Sequence, residues 1–160
     1  MFELLKKNKE FSIISPMTGV GVSLKKVPDE AFSEEMLGIG AAVAPTDGNI
    51  FSPVDGVISD ITDTKHAFCI TSKNGVEILL HIGINTVNLK GEGFVVLVKA
   101  GDTVKAGEKI AEVDLELLKK HELCIETPVL LTEQDKYAVI QVNDGKVEGG
   151  SDILFTYKKI

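Results

Sequence analysis

Apolar and polar positions alternate along this chain in short runs, and long helical periodicity is scarce. The runs are punctuated by Gly, Pro, Asn and Asp, the pattern of an all-β sandwich or barrel. It predicts strands at FSII, GVGVSL, GAAVAP, NIFSP, GVISDI, AFCITS, VEILLHI, FVVLVK, KIAEVD, TPVLLT, YAVIQV and ILFTYK. Only two stretches read as short helices. DEAFSEEML has Asp29 as its N-cap, and DLELLKKHEL has Asp114 as its cap with lysines in its last turns.

The pattern repeats internally. ISPMTGV at Ile14–Val20 echoes FSPVDGV at Phe51–Val57, each with a proline at a strand start, a turn and a glycine. KAGDTV at Lys99 is followed by KAGEKI at Lys105. The copies are few and their periods differ, which excludes a solenoid and favours repeated β-turn units inside one domain. Residues 13–160 are expected to form that domain, behind a flexible N-terminal segment of residues 1–12 whose apolar and lysine side chains could touch an anionic membrane only weakly.

The hairpin HAFCITSKNGVEILLHIG carries the candidate chemistry. Asn74-Gly75 between apolar strands signals a two-residue type I′ turn. That turn pairs Lys73 with Val76, Phe68 with His81 and His66 with Gly83. It places His66, Phe68, Ile70, Leu79 and His81 on one face, and Ala67, Cys69, Thr71, Val76, Ile78, Leu80 and Ile82 on a core face. The two imidazoles become diagonal neighbours about 5–8 Å apart at Cβ. Gly83 is expected to leave open space beside them. A three-residue loop over Lys73–Gly75 would shift the register by one and separate the rings.

Paired imidazoles suit phosphoryl transfer. One neutral ring can attack a phosphoryl group while the other donates a hydrogen bond to the developing charge. Thr64, two residues before His66, can accept from the other ring nitrogen and fix its tautomer. The alternative is metal binding, but two histidines without a third protein ligand make an incomplete zinc site that a partner would have to complete.

Composition narrows the field. The 160 residues suffice for one sizeable core, and 44% hydrophobic with 26% charged residues is globular composition. Net charge is −7 and every basic residue is a lysine, which argues against nucleic-acid binding and favours partners with a basic patch. Cys69 and Cys124 have neither metal-ligand nor disulfide spacing and read as reduced thiols of a cytoplasmic protein. No apolar run approaches the roughly 20 residues of a membrane span.

The segments VPDEAFSEEMLGIG, FSPVDGVI, TKHAF, HIGINTV, LKGEGF and AGDTVKAGEKI, in that order, resemble the glucose-type enzyme IIA domain of the bacterial phosphoenolpyruvate-dependent sugar phosphotransferase system. The resemblance implies an antiparallel β-sandwich, a duplicated hybrid motif with one or two short helices. It implies that His81 accepts phosphate on Nε2 from HPr and passes it to a cysteine on the IIB domain of a glucose- or N-acetylglucosamine-type permease. His66 would support the transfer and Thr64 would orient His66. A shallow apolar docking face would include Asp29, Ala31, Phe32, Met36, Leu37, Leu79, Asn85 and Val87. Asn85 stands where many relatives carry aspartate, and Ile39 where acidic residues are common. The resemblance further implies a monomer that requires no cofactor, works in the cytoplasm, is recruited to the membrane through the permease, meets zinc only at a partner interface, and in some relatives regulates other transporters or kinases. Two other readings share the hybrid motif. A lipoyl- or biotinyl-type carrier would need a Met-Lys pair, which is missing, and a zinc peptidase would need ligand spacings that His66, His81 and His121 do not provide. His121 is assigned to the solvated face of a helix, and Asp102, Glu108, Asp114 and Glu116 to turns and caps.

Overall fold

The computed structural model describes residues 9–160. Its strands are β1 (Phe11–Ile14), β2 (Gly19–Ser23), β3 (Ile39–Pro45), β4 (Asn49–Phe51), β5 (Gly56–Ile61), β6 (Ala67–Ser72) and β7 (Glu77–His81). They continue with β8 (Phe94–Val96), β9 (Thr103–Val104), β10 (Lys109–Val113), β11 (Thr127–Leu131), β12 (Tyr137–Val142), β13 (Lys146–Val147) and β14 (Ile153–Lys159). All twelve predicted strands are present; β9 and β13, two residues each, are too short to leave a pattern. The helices are α1 (Glu30–Ser33) and α2 (Leu115–Lys120), each shorter than its predicted stretch. Asp29 and Asp114 cap them as expected, accepting from the amides of Ala31 and Leu117.

Every strand pairing is antiparallel. An eight-stranded sheet in the order β13-β2-β3-β11-β7-β6-β5-β9 is joined by two three-stranded sheets, β1-β14-β12 and β4-β10-β8. The architecture is the expected all-β sandwich. The order is symmetric about the β11–β7 pair: β13-β2-β3 answers β9-β5-β6, and one small sheet answers the other. The echoed sequence motifs explain this duplication. The buried hydroxyls of Ser15 and Ser52 each donate to the carbonyl two residues on, both at 2.7 Å. The carbonyls of Ser15 and Ser52 accept from Gly150 and Gly107, both at 2.9 Å. Thr18 and Asp55 each receive an amide from those same two loops. The second echo is also a pair of turns, in which Asp102 and Glu108 accept from the amides of Lys99 and Lys105.

The main core runs between the sheets and includes Phe68, Ile70, Ile78, Leu80, Ile110, Leu131 and Phe155. A second cluster lies on the outer face of the large sheet. There Leu24, Val27 and Phe32, from the segment around α1, cover Ala42, Ile84 and Leu130. Phe11 and Ser12, expected in the flexible N-terminal segment, pair in β1 with Tyr157 and Thr156. Residues 1–8 of the expected N-terminal segment, including those considered for membrane contact, lie outside the described residues.

The β6–β7 hairpin differs from its prediction. The loop is Lys73–Gly75, three residues, and the register is Ala67↔His81, Phe68↔Leu80, Cys69↔Leu79, Ile70↔Ile78 and Thr71↔Glu77. Ser72 is responsible. Its amide donates to the carbonyl of Val76 at 2.9 Å, and its hydroxyl accepts from the Val76 amide at 3.0 Å. Gly75, at φ 83°, supplies the left-handed residue that closes a three-residue loop. The faces are therefore reassigned. Phe68 and Ile70 point into the core with Ile78 and Leu80, while Cys69, Leu79 and His81 share the outer face.

Candidate functional site

The rings of His66 and His81 meet despite the three-residue loop. Their centroids are 4.9 Å apart and their planes nearly perpendicular, at 76°. Strand alternation is not what joins them. His66 lies one residue before β6, in a turn closed by the Lys65 amide donating to the Thr62 carbonyl at 2.8 Å. Lys65 is left-handed there, at φ 63°. This turn frees His66 from the face its parity would assign. Its carbonyl then accepts from the Ile82 amide at 2.8 Å, tying the backbones beside the two rings.

Each ring has its Nδ1 engaged. His81 Nδ1 donates to the Gly83 carbonyl at 2.8 Å, which leaves Nε2 as the free lone pair. His66 Nδ1 is 2.6 Å from the Thr64 hydroxyl and 3.4 Å from the hydroxyl of Thr62, a residue with no site signal in the sequence. His66 is buried, and His81 is partly open to solvent. Burial lowers the pKa of His66, and the neighbouring His81 lowers it further. Burial also lowers the pKa of His81, against opposing contributions from the Gly83 hydrogen bond and the Asp29 carboxylate.

The two depressed pKa values set a direction for stability. Above the unfolded-state value of about 6.5 both states hold neutral rings and these groups contribute no pH dependence. Below it the unfolded chain binds protons that the folded site resists, so stability falls as the pH drops through the window below about 6.5. Melting temperatures of the wild type and of a His66→Gln, His81→Gln double variant between pH 7.5 and 5 check this, and the variant is expected to show the shallower acid-side loss.

The space beside the rings is not the open gap expected at Gly83. A Cβ built there would lie 2.7 Å from Thr86 Cγ2 and 3.1 Å from both the Cys124 carbonyl oxygen and Leu118 Cδ2. Gly83 is also left-handed, at φ 69°, so it fits a filled corner rather than making an opening.

The expected docking residues divide by depth. Met36, Leu37 and Val87 are 65%, 45% and 49% exposed, and Asn85 is exposed. Asp29, Ala31 and Leu79 are half-buried. Phe32 is buried, so it supports the site from below. Its ring centroid lies 5.1 Å from that of His81, placed there by α1. Asn85 sits in the left-handed region at φ 61°, which a short polar side chain tolerates, and precedes the 3-10 turn Thr86–Leu89. His121 is exposed at the end of α2. Cys69 and Cys124 are free, and burial pushes the Cys124 thiol up to about 11, so neither is an activated nucleophile. Among the described residues, no group of three or more His, Cys, Asp or Glu side chains is arranged to hold a metal ion.

Fold and site together define a duplicated antiparallel β-sandwich with a perpendicular imidazole pair at the end of a central hairpin. Residues 11–137 match the family described as phosphoenolpyruvate-dependent sugar phosphotransferase system, EIIA 1, and the chain belongs to that family. It is 41% identical over 154 residues to a glucose-specific EIIA component of Borreliella burgdorferi, covering 96% of this chain and 82% of that protein. It is 44% identical over 148 residues to an N-acetylglucosamine-specific EIICBA component of Klebsiella pneumoniae, covering 92% of this chain but 23% of that longer protein. Among solved structures, the glucose permease IIA of Mycoplasma capricolum superposes with a TM-score of 0.87 at 39% identity, covering 93% of this chain and 96% of that one.

Proposed function

We propose that this protein relays a phosphoryl group through Nε2 of His81. The observation that carries the proposal is the perpendicular imidazole pair 4.9 Å apart, each ring held by its Nδ1 so that its Nε2 remains for one shared group. The donor is the phosphohistidine of HPr. The His81 Nε2 lone pair attacks phosphorus, the donor's N–P bond breaks, and the departing imidazole keeps the bonding electrons. In the second half-reaction a cysteine thiolate of the IIB domain attacks the same phosphorus and His81 leaves.

His66 stabilises the transferred charge. Its role needs a proton on Nε2, so the Thr64 hydroxyl donates to Nδ1 in the working tautomer, the reverse of the direction expected from sequence alone. The phosphoryl group brings a charge of about −1.5 to −2 onto a protein already at net −7, so this local donor has an electrostatic task. The exposed Met36, Leu37 and Val87 give a docking partner apolar surface with which to exclude water from a hydrolysable N–P bond. The fused EIICBA relative supports a IIB domain as acceptor, because its name places the A component on one chain with B and C.

The test is a reconstituted relay. With labelled phosphoenolpyruvate, Enzyme I and HPr, the protein is expected to take up one equivalent of acid-labile label, mapped to the peptide containing His81. The label should then move to an added IIB domain of glucose or N-acetylglucosamine type. Label on another residue, or none, overturns the proposal.

A further inference from the structure

Three consecutive residues after the acceptor ring, Ile82, Gly83 and Ile84, are fastened through all three amides and the first two carbonyls. The Ile82 amide donates to the His66 carbonyl at 2.8 Å, and the Ile84 amide donates to the Cys124 carbonyl at 2.9 Å. The peptide unit between Ile82 and Gly83 is held from both ends by side chains. Its carbonyl accepts from the Thr86 hydroxyl at 2.6 Å, and its amide donates to the Thr127 hydroxyl at 3.3 Å. Both threonines are fully buried. The Thr127 hydroxyl donates its own hydrogen bond to the Ile125 carbonyl at 3.1 Å, which orients its lone pairs toward Gly83.

The next carbonyl in this series, that of Gly83, is the one that accepts the Nδ1 proton of His81. We infer that Thr127, with Thr86, is a positioning residue for the reacting imidazole: the two hydroxyls fix the Ile82–Gly83 peptide plane, and so hold Gly83 where its own carbonyl, in the next peptide plane, meets Nδ1. The inference rests on the proposed use of His81 Nε2, because aiming this carbonyl matters only if the proton must stay on Nδ1. Thr127 opens β11, the strand paired with β7, so the sheet itself brings a remote residue to the back of the acceptor's hydrogen bond. A hydroxyl is needed there because an isosteric apolar group would leave the Gly83 amide buried and unpaired.

Thr127→Val and Thr127→Ser test this in the relay assay, alongside proton–nitrogen NMR of the His81 ring. Thr127→Val is expected to slow labelling from phospho-HPr by about ten-fold, mainly in the rate at saturating HPr. It is also expected to reduce the Nδ1-protonated tautomer of His81. Thr127→Ser, which keeps the hydroxyl, should restore both. Should Thr127→Val not fold, Thr86→Val removes the other hydroxyl from the same peptide unit and is expected to shift the tautomer in the same direction. Wild-type tautomer and wild-type rate in a folded hydroxyl-less variant overturn the positioning role. Absence of label on His81 in the wild type overturns the relay reading instead, and the tautomer measurement, which needs no phosphoryl donor, still decides whether the threonines hold the ring.

Discussion

Replacing His81 by Gln is expected to abolish acid-labile labelling from phosphoenolpyruvate, Enzyme I and HPr while leaving the fold intact. Glutamine keeps a polar side chain of similar reach but has no ring nitrogen lone pair to attack phosphorus. The ring is only partly buried, at a strand end, so its loss removes little core packing. Circular dichroism and melting temperature close to the wild type are therefore expected beside zero label. His66→Gln should behave differently. It keeps the acceptor ring but replaces the Thr64-held imidazole donor by a flexible amide, and losing one preorganised charge-stabilising donor costs about 10²–10³-fold in rate. Slow labelling by His66→Gln and none by His81→Gln separates supporter from acceptor. Stoichiometric label on the His81 variant would sink the assignment.

Gly83→Ala is expected to damage both stability and transfer. The left-handed conformation of residue 83 disfavours any side chain by about 1–2 kcal/mol. The added methyl would also overlap Thr86 Cγ2 at 2.7 Å, and forcing an extra carbon into a packed site costs about 1–3 kcal/mol. Together the loss is about 2–5 kcal/mol, which for a chain of this size lowers the melting temperature by about 5–15 °C. Any backbone shift that relieves the overlap moves the Gly83 carbonyl off His81 Nδ1, so the folded fraction should also transfer slowly. A melting temperature within 1–2 °C of the wild type, below the effect of about 1 kcal/mol, would show that the corner is looser than its geometry implies.

The two predictions depend on features of unequal legibility. That His81 and His66 lie side by side, with Thr64 on His66, was readable from the family resemblance and not from the hairpin, whose expected two-residue turn is absent. The route by which they meet was not. Asn74-Gly75 favours a two-residue turn, yet the Ser72 hydroxyl adds one more closure and makes the loop three residues long. Hydrophobicity gave little warning, because each face of the hairpin carries apolar residues, the outer one Ala67, Cys69 and Leu79 beside Thr71, Glu77 and His81. One face fills the main core, and the other is partly covered by Leu24, Val27 and Phe32 from the segment around α1. Gly83 was recognised as a feature but misread as a gap, because the atoms that fill it come from Thr86, Leu118 and Cys124. Thr62, Thr86 and Thr127 carried only a weak signal, being threonines among many. Their hydroxyls acquire meaning once the backbone groups they satisfy are known.

The sequence by itself determined the local vocabulary: twelve strand positions, two capped helices, two pairs of echoed turns and the histidines at the end of one hairpin. Each of these depends on a few neighbouring residues, through alternation, capping or turn chemistry, and so can be read without the rest of the chain. The tertiary structure decided which faces are buried, that Phe32 lies against His81, and that the rings touch although the register shifted by one. Those outcomes depend on a left-handed residue at position 65 and on hydrogen bonds between segments far apart in the chain. The cost of leaving a buried amide or carbonyl unpaired is what selects them, and that cost exists only when the whole fold is assembled.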